Sequence, residues 1–158
     1  MNNSTVKEQS LRPETTGSLQ LKAVAKEPVP AQLDERMLTA LNAAAEKKAI
    51  NTVVLDLREI ASFTDYFVIT SGANERQVQA ISDAVADTLK KAGSAAARVE
   101  GYKTAEWILL DYGDFVVHVF DEKARSFYDL ERLWRESRRV QLPPELGGEV
   151  DSSLRSES

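Results

Sequence analysis

Few residues in this chain can do covalent chemistry, and their spacing argues against most of it. There is one histidine, His118, and no cysteine. His118 lies between Val117 and Val119, with Val116 and Phe120 on its own side of a strand-like run. A metal site built on it would need other nitrogen or oxygen ligands, and no cysteine or second histidine is there to help it. Two readings remain for it: a part-buried ring satisfied by a neighbour, or a contact for a partner. Asp56, Asp65, Asp111, Asp114 and Asp121 border β-forming runs, where carboxylates can hold magnesium for phosphoryl transfer. Asp111 and Asp114 also flank a glycine turn, and aspartates favour turns for local reasons. No Gly-x-Gly-x-x-Gly run is present, nor a glycine-rich loop closing on Gly-Lys-Ser or Gly-Lys-Thr. Ser71-Gly72 leads toward a helix start, but two residues are too short a signal for an anion site. A serine nucleophile would have no histidine in the usual later place. The inventory points away from an enzyme, with no catalytic residue, metal or cofactor expected.

Recognition chemistry is better represented. Glu100, Gly101, Tyr102, Lys103, Glu106 and Trp107 combine aromatic and long charged side chains, as do Tyr112, Phe127, Tyr128 and Trp134 with their charged neighbours. Interface centres and rims use these types. Packing can explain any one of them, but less readily their density beside paired charges, so a protein-binding platform is the favoured reading.

The elements that must position these residues centre on 106–134. Glu106 to Asp111 and Asp114 to Phe120 are strand-like, with Tyr112-Gly113 between them as a tight antiparallel turn. Alternation puts Trp107 and Leu109 on one face, and Ile108 and Leu110 on the other. In the second run Phe115, Val117 and Val119 oppose Val116, His118 and Phe120. A strand apolar on both faces needs cover on both. Phe127, Leu130 and Trp134 then recur at helical spacing, predicting a helix from about Lys123 or Ser126 to Arg138.

Upstream, Asp34 can cap a helix carrying Met37, Leu38, Leu41, Ala44, Ala45 and Ala49 inward, with Leu33 and Leu38 as a staple. Thr52–Leu57 and Asp65–Thr70 are strand-like. Asn74 with Gln77 forms a capping box ahead of Val78, Ile81, Val85, Leu89 and Ala92, and Gly93 is placed to end that helix. Ala96–Glu100 is a weak strand. The expected architecture is α/β: a mixed four- to five-stranded sheet packed with helices.

The chain has 158 residues, enough for one domain with tails. Residues 1–32 are polar and proline-bearing and predict a flexible N-terminal tail. Residues 33–142 form the domain, and 143–158, opened by Pro143-Pro144, predict a flexible acidic C-terminal tail. No apolar run is long enough to span a bilayer, and no secretory signal is evident, so a cytoplasmic protein without membrane contact is expected. The net charge of −5 argues against broad nucleic-acid binding and suits a basic protein partner.

Certain pieces, taken in order, resemble the ribosomal silencing factor family, also called Iojap. They include Val54-Leu55-Asp56-Leu57, Thr64-Asp65-Tyr66-Phe67-Val68-Ile69-Thr70-Ser71-Gly72, and Arg76-Gln77-Val78 with Ile81. Glu100-Gly101, Trp107-Ile108-Leu109-Leu110-Asp111-Tyr112-Gly113-Asp114 and Val116-Val117-His118-Val119-Phe120 follow. Arg125-Ser126-Phe127-Tyr128-Asp129-Leu130-Glu131-Arg132-Leu133-Trp134 completes the set. The resemblance runs from about Asp34 to Leu142. It implies a non-enzymatic translational repressor that binds the large ribosomal subunit through large-subunit ribosomal protein fourteen and sterically blocks subunit joining. A part in subunit maturation attaches to organellar relatives. The resemblance further implies a nucleotidyltransferase-like fold stripped of catalysis, a homodimer, and little direct nucleic-acid contact. Carried over to this chain, the partner-binding residues are Trp107, Asp111, Tyr112, Asp114, His118, Arg125, Tyr128, Glu131 and Trp134. Acidic members would meet basic residues and aromatics would anchor. A catalytic nucleotidyltransferase relative and a structural homodimer with another partner are the competing readings.

Overall fold

A computed structural model describes residues 33–147. The elements run α1 (Glu35–Glu46), β1 (Ile50–Asp56), β2 (Tyr66–Gly72), α2 (Glu75–Lys91), β3 (Arg98–Glu100), β4 (Trp107–Asp111) and β5 (Phe115–Asp121). Two short helices, α3 (Glu122–Tyr128) and α4 (Leu130–Leu133), lead to β6 (Arg138–Arg139) and a 3-10 turn at Pro144–Leu146. Among these residues no helix is long and apolar enough to cross a membrane.

The caps act as their side chains dictate. Asp34 accepts the Met37 N–H at 3.0 Å, and Asn74 accepts the Gln77 N–H at 2.9 Å. The Gln77 amide reaches back to accept the Ala73 N–H, so free donors of the first turn are satisfied reciprocally. Gly93, with φ of +90°, ends α2 as predicted, and the Ser94 N–H closes back on the Leu89 carbonyl. Leu38, expected in the buried stripe of α1, is exposed, while Ala40 and Ala43 are buried. The small alanines let α1 lie close to α2.

The sheet is mixed, as expected, but has six strands rather than four or five, in the order β3-β4-β5-β2-β1-β6. The extra edge comes from Arg138–Arg139, which pair with Leu55 and Asp56 in a stretch whose pattern predicted helix. The parallel contact joins β2 to β5, with Ile69 opposite His118. The β4–β5 hairpin is antiparallel. Its turn is shifted by one residue: the Tyr112 N–H still donates to the Phe115 carbonyl at 2.9 Å, leaving Gly113 and Asp114 at the tip. Gly113 takes φ of +91° there, the conformation that glycine adopts at little cost.

One sheet face carries Val54, Val68, Ile108, Leu110, Phe115, Val117 and Val119 against α1 and α2. The opposite face carries Leu55, Phe67, Ile69, Val116 and Phe120 with Leu57, Ala124 and Leu130. Among the described residues, α3, α4 and the loop after β1, through Ala61 and Phe63, cover that second face. The single helix predicted there is broken at Asp129, which adopts a left-handed φ of 49°. The expected boundary at 142 also moves. Leu142 and Leu146 are buried in the first core, and Gly147 packs against Thr52, so the packed chain runs on to 147. The remainder of both expected tails, 1–32 and 148–158, lies outside the described residues.

Candidate functional site: an aromatic face under two short helices

Alternation along β4 and β5 delivers Trp107, His118 and Phe120 to the second face, and β2 adds Phe67. Trp107 stacks on Phe120 with ring centroids 4.9 Å apart. Tyr128, at the end of α3, tilts onto Trp107 at 4.9 Å. Trp134 meets Phe67 edge-on at 5.6 Å and Phe63 at 5.8 Å. Offset and edge-to-face pairs of this kind add to the area they bury. Trp107 depends on the loop before it. Gly101 has φ of +82°, and a Cβ there would lie 2.1 Å from the Trp107 carbonyl oxygen. Only glycine fits.

His118 lies beneath this layer, 3% exposed. The Trp107 indole N–H donates to its Nδ1 at 3.0 Å. Indole is a donor only, so Nδ1 must accept and the neutral ring carries its proton on Nε2. That Nε2 is buried with no hydrogen-bond partner among the described residues, beside the Phe67 ring at a centroid distance of 4.4 Å and 74°. Burial pushes the His118 pKa down to about 4, so the ring is neutral at physiological pH. It is a fixed acceptor that orients Trp107.

A charged knot closes the flank of the same layer. Arg125 donates to Glu131 through two nitrogens, at 3.1 and 2.9 Å. It also donates to the Asn51 carbonyl at 2.6 Å and the Ser71 hydroxyl at 2.9 Å. Its side chain is 11% exposed. The break at Asp129 is what turns Glu131 back onto Arg125. Asp111, Tyr112 and Asp114 sit at the hairpin instead. Asp111 accepts the Gly113 N–H at 2.8 Å and faces Arg98 at 3.6 Å. Asp114 is ion-paired with Arg36. Tyr112 is buried in the helix-side core and stacked on Phe115; burial pushes its pKa up to about 12.

The nine residues singled out in the sequence therefore separate. Trp107, His118, Tyr128 and Trp134 form one aromatic layer, Arg125 and Glu131 tie α3 and α4 to the β1–β2 edge, and Asp111, Tyr112 and Asp114 belong to the hairpin. Sequence reasoning missed Phe63, 60% exposed and packed on Trp134 and Phe67. It stands in a connecting segment without period, where only its being an aromatic between Ser62 and Thr64 gave a signal. Leu133 is 74% exposed. Phe127 is 81% exposed. Among the described residues no group of histidines and carboxylates could hold a metal.

A family model described as ribosomal silencing factor during starvation matches residues 30–157. The chain belongs to that family. A ribosomal silencing factor of Halalkalibacterium halodurans is 41% identical over 108 residues, covering 68% of this chain and 92% of the relative. A crystal structure of a Bacillus halodurans protein superposes with a TM-score of 0.62 at 41% identity, over 68% of this chain and 98% of that one. A Chromobacterium violaceum crystal structure gives 0.64 at 33% identity, over 72% and 91%.

These matches correct the expectation of a nucleotidyltransferase-like fold. The likeness is to silencing-factor folds. The strand-end aspartates also lack the grouping that nucleotidyl transfer needs: Asp56 is bound by Arg58 at 2.8 Å, and Asp111 and Asp114 by Arg98 and Arg36. Silencing factors of this family are non-catalytic, ribosome-binding proteins, and the aromatic face is a surface suited to binding.

Proposed function

We propose that this chain represses translation by binding the large ribosomal subunit through large-subunit ribosomal protein fourteen, so that the occupied surface cannot receive the small subunit. The observation that carries this reading is the incompletely covered second face of the sheet. Phe63, Phe127, Tyr128 and Leu133 are exposed there beside Trp107 and Trp134. An apolar aromatic patch rimmed by charge is unusual on a free surface and is the form that a protein interface takes. Trp107, Tyr128 and Trp134 would anchor the partner, His118 would hold Trp107 in place, and Arg125 with Glu131 would fix the helices that frame the patch. Asp111 and Asp114, exposed or half-exposed at the hairpin, would meet basic side chains. The net charge of −5 favours encounter with a basic ribosomal protein. The same reading includes a cytoplasmic location and a homodimer.

Sedimentation of the purified protein with separated subunits tests it. The protein should travel with the large subunit alone, bind isolated ribosomal protein fourteen, and lower the yield of joined ribosomes when small subunits are added. Travel with the small subunit, or joining that proceeds undiminished at saturation, would refute it.

A further inference from the structure

The arginines of this fold are mostly neutralised. Arg36 faces Asp34 and Asp114, Arg58 faces Asp56, Arg98 faces Glu100 and Asp111, and Arg125 is locked to Glu131. Arg138 approaches Glu59, and Arg139 approaches Glu131. Arg76, Arg132 and Arg135 differ: all three are exposed, and none has an ion pair or a side-chain hydrogen bond among the described residues. Of these, Arg132 and Arg135 lie close together in the chain. They are three residues apart on the turn that ends α4, the Arg135 N–H donating to the Arg132 carbonyl at 3.2 Å. Between them stand the exposed Leu133 and the half-buried Trp134 of the aromatic face.

Building on the docking described under the proposed function, we propose that Arg132 and Arg135 grip the phosphate backbone of ribosomal RNA at the rim of that docked face. The nearest bland explanation is the pull of a helix C-terminus on cations. It is weak here, because α4 has only four residues. A basic protein partner would repel this edge, whereas phosphate oxygens match the planar guanidinium fork. The chain carries −5 overall, so a polyanionic subunit repels most of its surface. A local pair of arginines without an ion pair among the described residues selects the orientation in which the body is tolerated. Because the pair brackets Leu133 and Trp134, any partner seated on the aromatic face brings both arginines to its surroundings. On a ribosomal subunit those surroundings are RNA phosphates.

The test compares the natural protein, the double substitution Arg132→Gln with Arg135→Gln, and the lysine pair Arg132→Lys with Arg135→Lys. Binding to whole large subunits and to isolated ribosomal protein fourteen is measured from about 50 to 200 mM salt, where phosphate contacts are most visible. The glutamine pair should weaken subunit binding and flatten its log–log salt dependence by between about 1 and 2, since each phosphate contact contributes nearly one unit. Its affinity for the isolated protein should not fall, because the two charges repel a basic surface, and the lysine pair should restore the salt dependence. Equal weakening toward the isolated protein would assign the arginines to an acidic protein surface and overturn the proposal. An unaltered salt slope, with the same melting temperature, would also overturn it. If the natural protein binds ribosomal protein fourteen but the slope does not change, only the RNA contact falls. If it binds neither target, the docking reading falls and takes this contact with it.

Discussion

His118 sets a pH dependence that belongs to one side chain. Its pKa falls from 6.5 in the open chain to about 4 in the fold because burial disfavours the charged ring. A base with a depressed folded pKa binds its proton more readily when unfolded. Its contribution is therefore neutral above 6.5 and increasingly destabilising as pH falls toward 4. Unfolding by urea at pH 5 should show about 2 kcal/mol less stability from this group than at pH 7. Asp56 does not blur the window. Burial raises its pKa, but the hydrogen bonds and charge of Arg58 outweigh that and hold it below the usual carboxylate value, so it titrates at lower pH. His118→Phe should remove the slope between pH 7 and 5; a slope that persists would mean another group carries it. The histidine was legible as buried or partner-facing, but not as the acceptor for Trp107. That bond depends on the β4–β5 register, which puts Leu109, not Trp107, directly opposite His118.

At the scale of elements, the segment after β5 depends on one residue and one ion pair. Asp129 in the left-handed region separates α3 from α4, a conformation that aspartate tolerates better than most residues. The break turns Glu131 onto Arg125, whose guanidinium is almost fully enclosed. Arg125→Ala would leave Glu131 without its bidentate partner, and the Asn51 carbonyl and Ser71 hydroxyl without their donor. It should lower stability by roughly 3 kcal/mol, as breaking an enclosed pair does. Arg125→Lys should recover only a fraction, because an ammonium cannot reproduce the fork. Full recovery by lysine in a thermal melt would contradict the geometric role. The two long helices were legible because their caps and periods agree. The broken one was not, because Phe127, Leu130 and Trp134 satisfy helical spacing while belonging to two separate turns.

At the scale of the molecule, the sheet is covered unequally. The face under α1 and α2 is closed, whereas the other leaves aromatic rings in solvent. Binding and folding should therefore be separable. Phe127 and Leu133 are 81% and 74% exposed, so exchanging both for serine should change unfolding free energy by less than about 1 kcal/mol. The same pair should cut affinity for the large subunit at least tenfold, about 1.4 kcal/mol. Retained binding in sedimentation would move the interface elsewhere on the molecule.

By itself the sequence determined the alternation that divides β4 and β5 between two faces and the caps of α1 and α2. These are local properties, fixed by side-chain chemistry within a few positions. It also carried the ordered motifs that mark the family. Tertiary structure alone decided which recognition residues share a surface. It drew Phe63 from a featureless connection onto Trp134, buried Tyr112 away from the aromatic face, and added Arg138–Arg139 as a sixth strand. Each outcome depends on contacts between distant segments, where burial and packing outweigh local periodicity.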